Sequence, residues 1–271
     1  MTDVTAATPP VQLSGQLLFY KNPEPLNRQT HAKLGFKAQE KPFGFVGQTH
    51  LVPLLIGEFA AASLSYPIVF MGEPRRPAAV MGVRAGENLF VENGGLQPHA
   101  YVPLYVRRYP FALANDQANK QAVVIIDRDS ELLTEKKADA PFFADGEPTQ
   151  VVQDMIKFCE QFEQNRLVTE AFCAEMEKLG LFDQQYTDYT PRNADGSPGQ
   201  PQRIAEYFAI SEEKLNALPA DKLQELRDNG ALKQIYAHIN SLGGWEKLMA
   251  IAVSRSHAAN QAAANQIGGN A

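Results

Sequence analysis

The chain has 271 residues, of which 44% are hydrophobic and 21% charged, and 31 acidic against 25 basic residues give it a net charge of −6. This composition is typical of a globular protein with a sizeable core. The acidic balance argues against general nucleic-acid binding, which needs a basic surface to neutralise phosphates. The sequence contains no uninterrupted run of 18 apolar residues and predicts no membrane-spanning helix.

The N-terminal stretch MTDVTAATPPVQLSG has no basic segment followed by an apolar run, and therefore predicts no secretory signal. We expect residues 1–14 to form a flexible arm and the protein to be cytoplasmic. Two cysteines, Cys159 and Cys173, fall within a helical pattern. On a single helix they would lie about 21 Å apart, too far for a disulfide, so they are expected to be reduced core residues.

Residues 15–146 change pattern every few positions, which predicts a β-rich portion with short helices. GEFAAASLS has the composition of a short helix, and Asn93-Gly94-Gly95 is typical of a hairpin turn. Strands are predicted in six segments: GQLLFY, KPFGFV, PIVFMG, PAAVMGV, ENLFVEN and QAVVIID.

Residues 147–254 are predicted to be mainly helical, with one β-hairpin at about 181–210. The spacing of apolar residues slips between Phe162 and Val168, which predicts a kink or two helices meeting near Asn165. The small and polar residues 255–271 favour a disordered tail. The predicted class is α+β, with a β-rich N-terminal portion packed on the helical portion, and residues 15–254 forming one structural unit.

The most suggestive stretch is AYVPLYVRRYPF, residues 100–111. At a two-residue period, one face would carry Tyr101, Pro103, Tyr105, Arg107 and Tyr109, although Pro103 limits the segment to an edge strand or a bulge. Tyrosine rings and a guanidinium favour recognition of an anionic small molecule, a peptide or a partner protein, with help from Arg84. Alternatively, the tyrosines pack beneath the helices while Arg107 and Arg108 pair with acids.

Carboxylates supply a second candidate, since Asp127, Asp129 and Glu131 follow the predicted strand QAVVIID. Such groups can hold Mg²⁺ or Ca²⁺ or act as acid and base, but they also commonly form turns and helix caps. Glu58, in an apolar helix, is expected to pair with an arginine, and its pKa would be raised if it were buried. The five histidines form no spaced metal set, no known catalytic motif is present, and no cofactor is predicted.

Several segments, in this order, resemble the SapC family of bacterial proteins, from about Gly15 to Leu248. They are HLVPLLIGEFAAASLSYPIVF, PAAVMGVRAGENLFVENGG, AYVPLYVRRYPFAL, FFADGEPT and GALKQIYAHINSL, with YPIVF, NLFV and RRYPF the most specific blocks. Family labels refer to surface layers or to peptide resistance and transport. Members often occur near genes for outer-membrane receptors and flavin-dependent tryptophan halogenases. The resemblance therefore implies a role in handling a peptide or an aromatic substrate, without assigning catalytic residues.

The leading hypothesis is a non-catalytic binding or accessory protein that recognises a peptide, an aromatic amino-acid group or a partner protein. Its site would use Tyr101, Tyr105, Arg107, Tyr109 and Arg84. One rival is an enzyme of unrecognised type that uses the strand-end carboxylates or Glu58, with a metal as an option. Another is an assembly component of the cell surface, a role that the expected absence of a secretory signal disfavours.

Overall fold

The computed structural model describes residues 17–116, 121–190, 197 and 199–268. The arm expected at residues 1–14 lies outside these residues. Both helices and sheets are well represented, with much of the strand content in the N-terminal part and most of the helical content in the C-terminal part, so the predicted α+β class is confirmed.

The strands of the described residues, in chain order, are β1 (Pro23–Pro25), β2 (Gly35–Phe36), β3 (Leu51–Pro53), β4 (Ile68–Met71), β5 (Arg76–Val80), β6 (Val91–Glu92), β7 (Gly95–Leu96), β8 (Phe111–Asp116), β9 (Gln121–Asp127), β10 (Leu133–Thr134), β11 (Ala140–Pro141), β12 (Phe143–Ala144), β13 (Glu147–Pro148), β14 (Phe182–Tyr189) and β15 (Gln202–Ile210). The α-helices are α1 (Phe59–Ala62), α2 (Leu104–Arg107), α3 (Gln150–Lys178), α4 (Glu212–Asn216), α5 (Ala220–Asp228), α6 (Ala231–Ser241) and α7 (Gly244–Gly268). Two 3₁₀ turns lie at Gly44–Val46 and Ile56–Glu58.

The chain forms two compact units, and each unit combines separate stretches of sequence. The first unit comprises Met1–Glu40 and Arg108–Glu163, and the second comprises Lys41–Arg107 and Gln164–Ala271. The divisions between these units fall at three places in the sequence. The boundary expected near residue 146 stays a prediction. The expectation that residues 15–254 behave as one structural unit stays a prediction.

The first unit is built around two small antiparallel sheets, with strand orders β1-β9-β8 and β10-β2-β11. The apolar run Val123–Ile126 lies in β9, as its sequence predicts. Strand β9 pairs with β8 over six residue pairs. The larger core cluster of this unit contains six buried side chains: Leu34, Phe111, Ile126, Phe142, Val152 and Cys159. Helix α3 therefore supplies part of this core through its first turns.

The second unit contains a five-stranded antiparallel sheet in the order β14-β15-β4-β5-β3. The predicted hairpin is confirmed as β14 and β15, and it joins the earlier strands through the pairing of Phe208 with Phe70. Strands from the N-terminal and C-terminal parts of the sequence thus share one sheet, and helix α6 packs against β15 and β4. Asn93 and Gly94 adopt positive φ angles in the predicted turn, between β6 and β7.

Two helices differ from the sequence prediction. Helix α3 continues without a break from Gln150 to Lys178, so the expectation of two helices meeting near Asn165 is wrong, while the alternative of a kink there stays a prediction. Helix α7 continues to Gly268, whereas the composition of residues 255–271 favours disorder. Alanine is frequent in that segment and has the highest helix propensity, so helix is a natural outcome there.

A buried histidine lies between helix α6 and the five-stranded sheet. His238 is fully buried, its Nε2 accepts the Ile210 N–H at 3.0 Å, and its ring packs edge-on against Phe70. Burial lowers the pKa of His238 to about 4, and the Ile68 backbone opposes this shift. The folded second unit therefore requires the neutral form of this ring.

This requirement predicts a loss of stability in mild acid. Because the pKa of His238 is lower in the folded than in the unfolded chain, the unfolded chain binds the extra proton between pH 6.5 and 4. The free energy of unfolding should fall through this window by up to about 1.4 kcal/mol per pH unit. Urea unfolding at several pH values measures the slope, and His238→Gln should reduce it. An equal slope in wild type and variant would contradict the assignment.

Candidate functional site

The segment from Tyr101 to Tyr109 is not an edge strand, so that prediction is wrong. The N–H groups of Val106 and Arg107 both donate to the Pro103 carbonyl, and α2 forms a single helical turn. Proline favours the start of a helix, because its φ angle suits the first turn and its missing N–H is not needed there. The alternating residues therefore do not line one face of a strand.

The structure separates the residues that the sequence grouped together. Tyr105 and Tyr109 are buried, Tyr101 is half-buried, and Arg107 and Arg84 are exposed. Tyr109 belongs to the first unit and the other four to the second. Burial withholds the rings of Tyr105 and Tyr109 from a ligand, as expected if these tyrosines serve packing, and leaves Tyr101 and Arg107 as the part that can be reached from solvent.

Tyr101 and Arg107 form a surface pair within the second unit, which we call the Tyr101–Arg107 site. The Arg107 guanidinium carbon lies 5.1 Å from the centre of the Tyr101 ring, within the range of a cation–π contact. Arg107 Nε donates to the Val102 carbonyl at 2.8 Å. In the described part of the chain, Nη1 and Nη2 of Arg107 have no acceptor. The guanidinium is thus held in place while its outer fork is free for a ligand.

The backbone of Tyr101 is fixed from both sides. Its N–H donates to Ser65 Oγ at 3.0 Å, and its carbonyl accepts the Tyr66 hydroxyl at 2.6 Å. Tyr66 is fully buried and packs edge-on against Phe90. The half-buried ring that supports Arg107 is therefore anchored to the interior of the second unit.

Glu58 lies beneath this pair and binds three hydrogen-bond donors. Its Oε1 accepts the Tyr101 hydroxyl at 3.1 Å and the Leu104 N–H at 2.7 Å, and its Oε2 accepts the Leu55 N–H at 2.8 Å. Only 2% of Glu58 is exposed. Among the described residues, Glu58 forms no ion pair with an arginine; it accepts hydrogen bonds instead, and Arg107 acts on it through its charge.

The protonation of this cluster follows from its burial. Burial raises the pKa of Glu58, whereas the N–H groups of Leu104 and Leu55, the Tyr101 hydroxyl and the Arg107 charge oppose that shift. A raised pKa on burial is what the sequence predicts for this residue. Burial and the Glu58 carboxylate together raise the pKa of Tyr101 to about 12, so its hydroxyl remains a donor near neutral pH.

The link between Glu58 and α2 is missing from the sequence prediction, although the sequence contains a signal for it. A proline at the start of a helical turn leaves the next N–H groups without helical partners, and a carboxylate is a favoured acceptor for them. Pro103 marks the position, and the Leu104 N–H is the donor that Glu58 binds. Reading residues 100–111 as a strand concealed this signal.

The strand-end carboxylates are not brought together. Asp127 is fully buried in the first unit, where Oδ1 accepts the Asn22 N–H at 2.8 Å and Oδ2 accepts the Tyr109 hydroxyl at 2.7 Å and the Lys21 N–H at 3.2 Å. Asp129 and Glu131 are exposed. Within the described ranges, no three His, Cys, Asp or Glu side chains are placed to share a metal ion. Asp127 therefore acts as a structural acceptor.

Other chemical groups of the chain are similarly occupied or shielded. The buried Arg108 lies 4.3 Å from the centre of the Phe162 ring and 3.7 Å from Glu163 Oε1, as expected if this arginine pairs with an acid. Burial raises the pKa of both cysteine thiols to about 12, which makes them poor nucleophiles.

A groove of about 690 Å³ between α3 and α5 is lined by acidic and amide side chains: Glu175, Asp221, Gln224, Glu225, Asp228 and Asn229.

The two aspartates after β9 give a matched test of the structural role. Asp127→Asn places an amide N–H₂ group among backbone donors and should destabilise the protein by about 2 kcal/mol or more. Asp129→Asn changes the same group at an exposed position and should stay within about 0.5 kcal/mol of wild type. Urea unfolding of both variants checks this difference. Equal stability of the two variants would show that Asp127 is not a required acceptor.

Comparison with known proteins identifies the family. None of the helices in the described residues has the length and apolar character needed to cross a membrane. Searches of curated proteins and of solved structures gave no match. The SapC family model matches residues 26–248, which include both stretches that build the Tyr101–Arg107 site. The chain belongs to the SapC family.

Proposed function

We propose that this chain is a non-catalytic binding or accessory protein that recognises a carboxylate-bearing ligand at the Tyr101–Arg107 site. The ligand would be a peptide, an aromatic amino-acid group or an acidic segment of a partner protein. One observation carries the proposal: Arg107 is fixed at Nε and over the Tyr101 ring, while its two outer nitrogens have no acceptor in the described residues. A guanidinium fork matches the two oxygens of a carboxylate.

The energetic argument rests on preorganisation. A free arginine side chain loses rotamer entropy when it binds an anion, and that loss weakens binding. Arg107 has already lost part of this freedom through its bond to the Val102 carbonyl and its contact with Tyr101. A ring carried by the ligand can also contact the tyrosine–guanidinium pair, which favours aromatic carboxylates over simple ones.

Arg107 differs in this respect from most other arginines of the described chain. Five of them form ion pairs with acidic side chains of the same chain, namely Arg75, Arg108, Arg128, Arg166 and Arg203. Arg227 pairs with its neighbour Asp228. The exposed guanidinium of Arg84 is part of the proposal as a second contact for the ligand, while Tyr105 and Tyr109 would contribute by packing.

Two of the carboxylates that the rival enzyme hypothesis would use, Asp127 and Glu58, are engaged in structural hydrogen bonds, which favours binding over catalysis. Asp127 and Glu58 each accept three hydrogen bonds from the chain. A cytoplasmic location belongs to this proposal as an expectation from the sequence. A partner associated with flavin-dependent halogenases or outer-membrane receptors belongs to it as an expectation from the family resemblance.

Thermal unfolding in the presence of a defined probe tests the site. N-acetyl-L-tryptophan carries a carboxylate and a ring, and N-acetyl-L-tryptophanamide is the matched neutral control. At about 100 times its dissociation constant, the acid should stabilise the fold by about 2.7 kcal/mol and raise Tm by several degrees. Arg107→Ala should weaken binding by about 10- to 100-fold, because a hydrogen-bonded charge contributes about 1.5–3 kcal/mol.

Arg76→Ala supplies the control for the arginine substitution. Arg76 is an exposed arginine on β5 of the same unit, and its removal should leave probe binding unchanged. Arg84→Ala then reports whether the second guanidinium contributes. Equal stabilisation by the acid and the amide, or an unchanged affinity in Arg107→Ala, would contradict the proposed site.

A further inference from the structure

The position of Glu58 gives it a role beyond that of an ordinary core residue. It lies at the end of the Ile56–Glu58 turn, yet two of its three donors, Tyr101 Oη and the Leu104 N–H, come from the segment that carries Arg107. Its third bond, from the Leu55 N–H, holds the carboxylate in its own turn. One side chain thus connects two parts of the second unit that are more than 40 residues apart.

The Ile56–Glu58 turn is itself held firmly. The Ile56 N–H donates to Thr169 Oγ1 at 2.9 Å, and Thr169 is a buried residue of α3 whose hydroxyl donates to the Asn165 carbonyl. Phe59, which follows Glu58, is fully buried against Phe70 and Phe172. The carboxylate therefore projects from a fixed support toward Tyr101 and the start of α2.

Tyr101 links the same carboxylate to Arg107, since its hydroxyl donates to Glu58 Oε1 and its ring centre lies 5.1 Å from the Arg107 guanidinium carbon. The charge of Arg107 accordingly opposes the rise in the pKa of Glu58. An anion bound by the Arg107 fork would bring a second negative charge toward Glu58. Because Glu58 is buried and poorly screened by water, a second negative charge nearby disfavours its ionised form, and the repulsion is relieved when the carboxylate binds a proton. The buried carboxylate, whose charged form is already disfavoured by desolvation, is the group that would take up this proton.

We propose that Glu58 is the positioning residue of the Tyr101–Arg107 site and that anion binding at Arg107 is coupled to proton uptake by Glu58. This inference rests on the proposed function, since it needs a ligand at Arg107, and it adds regulation by pH to that function. The positioning role and the proton uptake have the same cause: the buried carboxylate of Glu58 holds Tyr101 and Leu104 in place, and its protonation responds to a negative charge bound at Arg107.

The sign of the coupling follows from linkage. A bound anion favours the protonated form of Glu58, so the ligand binds more tightly as the pH falls toward the pKa of Glu58. We expect the affinity to increase by up to about tenfold as the pH falls through this range. The ligand carboxylate, with a pKa of about 3.5, remains ionised between pH 5 and 8.

The groups around Glu58 limit the other sources of pH dependence. Tyr101 remains protonated throughout this range, because its pKa is raised to about 12. Arg107 retains its charge. His99 is an exposed titratable side chain two residues before Tyr101, and it needs a control of its own.

Isothermal titration calorimetry with N-acetyl-L-tryptophan tests the inference. At each pH between 5 and 8, titrations in two buffers of different ionisation enthalpy give the number of protons taken up on binding. The wild type should take up a fraction of a proton, increasing as the pH falls. His99→Gln should retain this uptake. Glu58→Gln keeps an acceptor oxygen for Tyr101 and Leu104. The affinity of this variant for the probe should change little between pH 5 and pH 8.

Each outcome decides between the claims. Binding that depends on Arg107 without proton uptake overturns the coupling and leaves the proposed function standing, whereas no binding by the wild type overturns both. Uptake that persists in Glu58→Gln, or disappears in His99→Gln, also overturns the coupling. If Glu58→Gln does not fold, uptake in both the wild type and His99→Gln supports the inference, and its absence in either contradicts it.

The positioning role has a second readout that needs no ligand. Glu58→Ala removes the acceptor of the Leu104 N–H, so amide hydrogen exchange across residues 101–107 should become faster than in the wild type, while exchange in the five-stranded sheet stays unchanged. Unchanged exchange in this segment would show that Glu58 does not hold it.

Discussion

A carboxylate that is removed from water must find hydrogen-bond donors, and Glu58 finds three in the interior of the second unit. This requirement ties the Tyr101 hydroxyl and the first N–H of α2 to one point. Arg107, at the end of that helical turn, is then placed over the Tyr101 ring with its outer nitrogens toward solvent. Arg107 differs from an ordinary exposed arginine in its fixed position over Tyr101, and this position depends on the buried carboxylate of Glu58.

The first unit applies the same rule with a different result. Asp127 is equally buried and also accepts three hydrogen bonds, from two backbone N–H groups and the Tyr109 hydroxyl. Its donors lie near the N-terminal end of the described chain and in the turn before β8, so this carboxylate joins separate segments of the unit. The guanidinium next to Tyr109 in the sequence, that of Arg108, is buried beside Phe162 and Glu163. Two similar carboxylates thus stabilise folding, but only Glu58 supports an exposed cation.

Local patterns in the sequence predict much of the fold. The apolar runs of β4, β5 and β9, the Asn93-Gly94 turn, the β14–β15 hairpin and the helical character after residue 149 all follow from periodicity and turn chemistry. The pairing of the hairpin with β4 does not, because a single long-range pair, Phe208 with Phe70, carries no local signal. At residues 101–109, an alternating pattern suggested a strand, but Pro103 starts a helical turn there. Tyr101 and Arg107 could therefore be identified as candidates, whereas the burial of Tyr105 and Tyr109 could not.

The central claim is that the free fork of Arg107 receives a carboxylate. A crystal structure of the protein with N-acetyl-L-tryptophan tests this most directly. The account predicts both carboxylate oxygens about 2.7–2.9 Å from Nη1 and Nη2 of Arg107, with Tyr101 still bonded to Glu58. A probe bound elsewhere on the chain, with the Arg107 fork still free, would contradict it.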